Sequence, residues 1–89
     1  MIFINQSNLT LQLDTQIDLS TATSVAIIFK KPSGVTGQWT GTVNGTKIEY
    51  LFTGSEIDAT GVWELQARAN FPTGTSLGVI TKQRVIPSL

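Results

Sequence analysis

Few side chains in this sequence could carry chemistry. There are six carboxylates (Asp14, Asp18, Glu49, Glu56, Asp58 and Glu64), six Lys or Arg, many hydroxyls, and no histidine or cysteine. Histidine is the side chain that titrates unperturbed near neutrality, so its absence removes the commonest general base and the commonest metal ligand. A serine or threonine nucleophile needs a base beside it, and no imidazole exists to serve. Without cysteine there is neither a disulfide framework nor a thiolate metal site. Asp14 with Asp18, and Glu56 with Asp58, could each help bind calcium, yet neither pair lies in the dense run of oxygen ligands such a site uses. As turn and cap residues they need no metal. The stretches Gly34-Val35-Thr36-Gly37 and Gly74-Thr75-Ser76-Leu77-Gly78 lack the following lysine and helix of a phosphate loop and are expected to be turns. No catalytic, cofactor or metal residue is assigned, and the chain is expected to be non-enzymatic.

Two further kinds of residue invite a binding hypothesis. Trp39 and Trp63 could stack on sugar rings if exposed, but large aromatics are expected to fill the core of so small a domain. Asn5, Asn8 and Asn44 each open an Asn-x-Ser/Thr triplet. Met1-Ile2-Phe3-Ile4-Asn5 has no basic n-region and only a four-residue apolar run, so no secretory leader is expected and neither is glycosylation. No apolar stretch approaches the length that spans a bilayer. The six cations balance the six carboxylates, and only 13% of residues are charged. A duplex-binding surface needs a net positive footprint, so nucleic acid is not an expected partner, and Lys30-Lys31 before Pro32 is read as a strand end entering a turn.

The elements that must position these residues are strands. Eighty-nine residues are expected to form one domain, 1–89, burying roughly 60–65% of the unfolded surface. Apolar residues alternate in short runs between turn signals, with no sustained helical period. Leu9, Leu11 and Leu13 form one such run. Val25, Ile27 and Phe29 form another, in which Ala26 and Ile28 make the second face apolar too, as in a central or covered strand. Ile17 and Leu19, in the connection between the two, are expected to plug the end of the core. Asn44-Gly45 is the strongest hairpin signal, since both central positions of a type I′ turn need positive φ. That turn predicts Val43 opposite Thr46, Gly41 opposite Ile48, Trp39 opposite Tyr50 and Gly37 opposite Phe52. Trp39, Ile48, Tyr50 and Phe52 would then share one face, with Thr40, Thr42, Lys47 and Glu49 on the other. From Gly61 the alternation is clean: Trp63, Leu65, Ala67 and Ala69 inward, Glu64, Gln66 and Arg68 outward. After the turn-rich Phe71-Pro72-Thr73-Gly74-Thr75, a last strand is expected from about Leu77 to Ile86. About seven short strands at this spacing predict an all-β, antiparallel β-sandwich.

The segment Asp58-Ala59-Thr60-Gly61-Val62-Trp63-Glu64-Leu65 resembles the E–F corner of immunoglobulin-like domains, where an aromatic opens strand F two residues before the core cysteine. Trp63 stands where the corner tyrosine would be and has no hydroxyl to offer. Leu65 stands where the cysteine would be. A wider resemblance covers roughly residues 9–70. Its elements, in order, are Asp18-Leu19-Ser20-Thr21-Ala22-Thr23-Ser24-Val25, Phe29-Lys30-Lys31-Pro32-Ser33-Gly34, the hairpin at 39–48 and the Asp58 to Trp63 corner. The chain is similar to the small immunoglobulin-like proteins encoded among the structural genes of tailed bacteriophages, and to the N-terminal domain of phage baseplate upper proteins.

That resemblance implies a virion structural protein of the tail or baseplate, made in the host cytoplasm, with no catalytic residues to carry over. Its implied partners are other virion proteins and copies of itself, not nucleic acid, membrane or a small-molecule substrate. Two alternatives are a capsid decoration or cement protein, and a host-surface carbohydrate- or receptor-binding module using residues 71–78. Residues 1–4 and 85–89 are expected to be either core strands or arms that pair with a neighbouring sheet edge.

Overall fold

The computed structural model describes residues 2–4 and 7–87. Nine strand segments occur among them: β1 (Ile2–Phe3), β2 (Ser7–Asp14), β3 (Ser24–Lys30), β4 (Thr36–Thr40), β5 (Thr42–Asn44), β6 (Lys47–Thr53), β7 (Gly61–Phe71), β8 (Gly74–Leu77) and β9 (Thr81–Ile86). The larger sheet runs β1-β9-β7-β3-β4, with β8 also pairing with β7, and the smaller runs β2-β6-β5. All pairings are antiparallel except that of β1 with β9. In immunoglobulin lettering, the smaller sheet is B-E-D and the larger carries G-F-C-C′. The fold is an immunoglobulin-like β-sandwich.

The alternation read from Gly61 produces β7, whose inward Trp63, Leu65, Ala67 and Ala69 are all buried. β3 lies between β7 and β4, so it is central as expected, and its second apolar face, with Ala26 and Ile28, belongs to the outer face of the large sheet. Leu19 plugs the end of the core as expected, whereas Ile17 is exposed. Residues 85 and 86 belong to β9, and β1 pairs beside them in the same sheet, with the Ile4 amide donating to the Ile86 carbonyl at 2.9 Å. Ile2–Phe3 and residues 85–86 are therefore strands of this sandwich, with Ile4 and Pro87 just beyond them. Met1 and residues 88 and 89 lie outside the described residues.

The hairpin differs from expectation in two respects. Val43 faces Ile48 and Asn44 faces Lys47, so the two-residue connection is Gly45-Thr46. Gly45 has φ of 65° while Asn44 does not adopt positive φ, the pattern of a type II′ turn with glycine in the first central position. A slip of two residues preserves which side chains share a face, because the strand period is two. The second difference is larger. Trp39 does not pair with Tyr50; β4 pairs with β3 in the large sheet, and the chain crosses to the small sheet at Gly41.

The crossing depends on the absent side chain. The Gly41 amide still donates to Val25 of the large sheet at 3.2 Å. A Cβ at this position would lie 2.5 Å from the Ile48 Cγ2 and 3.1 Å from the Glu49 carbonyl oxygen. Trp39 consequently meets Tyr50 and Phe52 across the sandwich rather than along a sheet. Its ring stacks on Tyr50 at 5.4 Å and on Phe29 at 4.6 Å, and meets Phe52 edge-on at 5.3 Å.

The corner is closed by a tryptophan. The Trp63 indole Nε1–H donates to the Ala59 carbonyl at 2.9 Å, performing with nitrogen what the corner tyrosine performs with oxygen. The Lys31 ammonium sits 5.7 Å from the Trp63 ring centroid and 2.8 Å from Asp58, which pins the turn after β3 to the loop before β7.

Candidate interaction surface

Cross-strand register assembles the outer face of the large sheet row by row. Lys30, Glu64 and Lys82 are neighbours across β3, β7 and β9, and Val62 stands beside Arg84. Ile28 is opposite Gln66, and Ala26 is opposite Arg68, which is itself opposite Leu77. The sheet is interrupted between β8 and β9, where the Gly78 amide donates to Ala67 and the Gln66 side chain donates to the Gly78 carbonyl. This break turns Ile80 onto the outer face. Ile28, Lys30, Thr36, Glu64, Gln66 and Ile80 line a groove of about 160 Å³ there.

The result is a face on which exposed apolar side chains alternate with cations. Leu77 is 58% exposed, Ile80 59% and Val62 48%. Lys30, Arg68, Lys82 and Arg84 are interleaved with them, and one carboxylate, Glu64, stands between Lys30 and Lys82. Among the described residues the one ion pair is Lys31 with Asp58; Lys30 and Lys82 flank Glu64 as cross-strand neighbours. Arg68 instead donates to the Gln38 side-chain oxygen. Exposed apolar residues among polar ones are a common composition of a protein interaction site.

The residues singled out from the sequence lie elsewhere. Trp39 and Trp63 are buried, so neither offers a stacking platform. Asp14 accepts from the Gln16 amide at 2.9 Å and the Thr46 hydroxyl at 2.8 Å, and Asp18 accepts from the Ser20 amide at 2.9 Å. These hydrogen bonds, led by the backbone bond in each case, hold both carboxyls below the usual aspartate range. Each closes its own turn.

Glu56 is bound most fully of all. Its carboxylate accepts from the Tyr50 hydroxyl (2.7 Å), the Thr53 amide (3.0 Å) and hydroxyl (2.9 Å), and the Gly54 amide (3.1 Å). Partial burial acts to raise its pKa, but the donors, led by Tyr50, outweigh that and bring it to about 2. The same contact pushes the Tyr50 hydroxyl up from its ordinary value. Asp58 is engaged by Lys31 rather than by Glu56. Among the described residues no group of three or more acidic side chains converges on a metal position.

Residues 71–78 are not the open loop expected. Gly74–Leu77 is strand β8, and Phe71 packs against the core. The expected last strand starts later, at Thr81, because Gly78 to Ile80 form the break. Asn8 and Asn44 are exposed, while Asn5 lies outside the described residues. The residues missed were Leu77, Ile80, Lys82 and Arg84. Their signal was present as an apolar stretch followed by alternating cations, but it was absorbed into a single uninterrupted strand. Comparison of the chain with protein-family models, curated proteins and solved structures gives no match.

Proposed function

We propose that this chain is a non-enzymatic assembly module, working as a structural component of a tailed-phage virion, in its tail or baseplate. The observation that carries the assembly reading is the outer face of the large sheet, with exposed Leu77 and Ile80 among Lys30, Arg68, Lys82 and Arg84. A solvent-facing sheet surface gains nothing from exposed leucine and isoleucine unless another surface covers them. The assignment to a virion rests on the resemblance carried by residues 9–70. Assembly is favoured over sugar binding because Trp39, Trp63 and Phe71 all pack into or against the core. A place on the capsid as a decoration protein would use the same surface.

The test is the location of the protein in purified particles, by electron microscopy with antibody labelling. Labelling of the tail or baseplate supports the proposal, and labelling of the head moves it to the decoration alternative. Absence from purified particles refutes both.

A further inference from the structure

We propose that copies of this chain associate head to tail, the outer face of the large sheet in one copy docking on the outer face of the small sheet in the next. This rests on the assembly role above and names the partner. The large-sheet face carries Lys30, Arg68, Lys82 and Arg84 against Glu64, interleaved with the apolar Ile28, Leu77 and Ile80. Because the whole chain is neutral, the remainder of the molecule carries the balancing negative charge.

The small-sheet face offers the complement. Leu51 is 53% exposed on β6, next along the same face to Glu49. Glu49 is opposite Gln12 and Thr42, and the following row is Asp14, Lys47 and Asn44. Leu51 thus has Glu49 in the adjoining row, and Asp14 lies one row further on, opposite Lys47, the single cation among these rows. Asp14 remains ionised through its bonds to Gln16 and Thr46.

Like docking on like would set four cations against four, which electrostatics penalises, whereas unlike faces attract and exclude the wrong register. A polyanion such as nucleic acid would meet Glu64 between Lys30 and Lys82 on the middle strand, and the exposed Leu77 and Ile80 favour a protein surface over phosphates. A contact between two different faces leaves one of each free, so it propagates as a ring or filament.

The experiment is sedimentation velocity on the full chain at concentrations up to roughly millimolar in about 50 mM salt. Mass should rise with concentration and fall as salt is increased. Two double variants, Lys82→Glu with Arg84→Glu on one face and Glu49→Lys with Leu51→Lys on the other, should each weaken association by about tenfold or more. Mixed in equal amounts, they should associate again, because each retains one intact face and the two reversed faces carry opposite charges. Thermal melts check that every variant folds; Ile80→Lys is the replacement should the first pair melt early.

A chain that stays monomeric throughout overturns the inference, as does an isologous pattern in which the large-sheet variant abolishes association and mixing restores nothing. If the monomeric chain is nevertheless present in purified particles, self-association fails while the assembly role stands. Absence from particles removes the assembly role whatever the oligomeric state.

Discussion

Replacing Glu56 with glutamine should destabilise the domain at neutral pH and leave it nearly unaffected in acid. The carboxylate closes the loop after β6 by accepting from Tyr50, Thr53 and Gly54, and these donors lower its pKa from 4.5 to about 2. A shift of that size corresponds to at most about 3 kcal/mol. Solvent reaches part of the group, so the expected loss for Glu56→Gln at pH 7 is about 1–2 kcal/mol. The folded-state pKa lies below the unfolded one, so the contribution is fully present above about pH 4.5 and disappears as pH falls toward 2. Urea unfolding of both proteins at pH 7, 4 and 2 measures the difference, since the other carboxylates titrate equally in each. At pH 2 the two proteins should differ by about 0.4 kcal/mol or less. Tyr50→Phe, combined in a double-mutant cycle, should show a coupling of about 1 kcal/mol that follows the same pH dependence. A difference that stays constant from pH 7 to 2 would refute the reasoning, because it would mean that loop shape and not the charged acceptor holds residues 53–56.

Gly41→Ala should cost about 1–3 kcal/mol, since its Cβ meets Ile48 and backbone, and should appear as a drop in Tm of several degrees. Trp63→Phe should cost about 2–4 kcal/mol, combining an unfilled volume with an unsatisfied Ala59 carbonyl; chemical unfolding measures it. Tryptophan emission of the native protein should be blue-shifted and poorly quenched by iodide, because Trp39 and Trp63 are buried; red emission with ready quenching would contradict their placement. Asp58→Ala should cost less than about 1 kcal/mol, since its partner Lys31 also lies over Trp63 and the pair is partly exposed.

Much of the core was legible in the sequence because a strand's side-chain period is local. Trp63, Leu65, Ala67 and Ala69 alternate, so one decision about which face is apolar orients all four. The same periodicity made the predicted hairpin right about faces and wrong about partners. Trp39, Ile48, Tyr50 and Phe52 do meet, but Trp39 reaches the others from the opposite sheet. Nothing in a period of two distinguishes a strand that continues from one that changes sheet, and only the fit of Gly41 against Ile48 makes the change visible. The interaction surface was harder still, because Ile28, Leu77 and Ile80 come from three separate strands or their ends. That they share a face depends on β7 lying between β3 and the β8–β9 edge.

Read alone, the residues show that the chain is built of strands, which side chains of its alternating runs enter the core, and that neither imidazole nor thiol is available for chemistry. These follow from composition and from spacing along the chain. The sequence also carried the corner motif, though not that an indole N–H could close it in place of a hydroxyl. Where the chain leaves one sheet for the other emerges in three dimensions alone, as does the gathering of four of its six cations on one face. Net charge is a sum over the sequence, whereas a charged face is a property of strand order, and strand order is set by contacts between residues far apart in the chain.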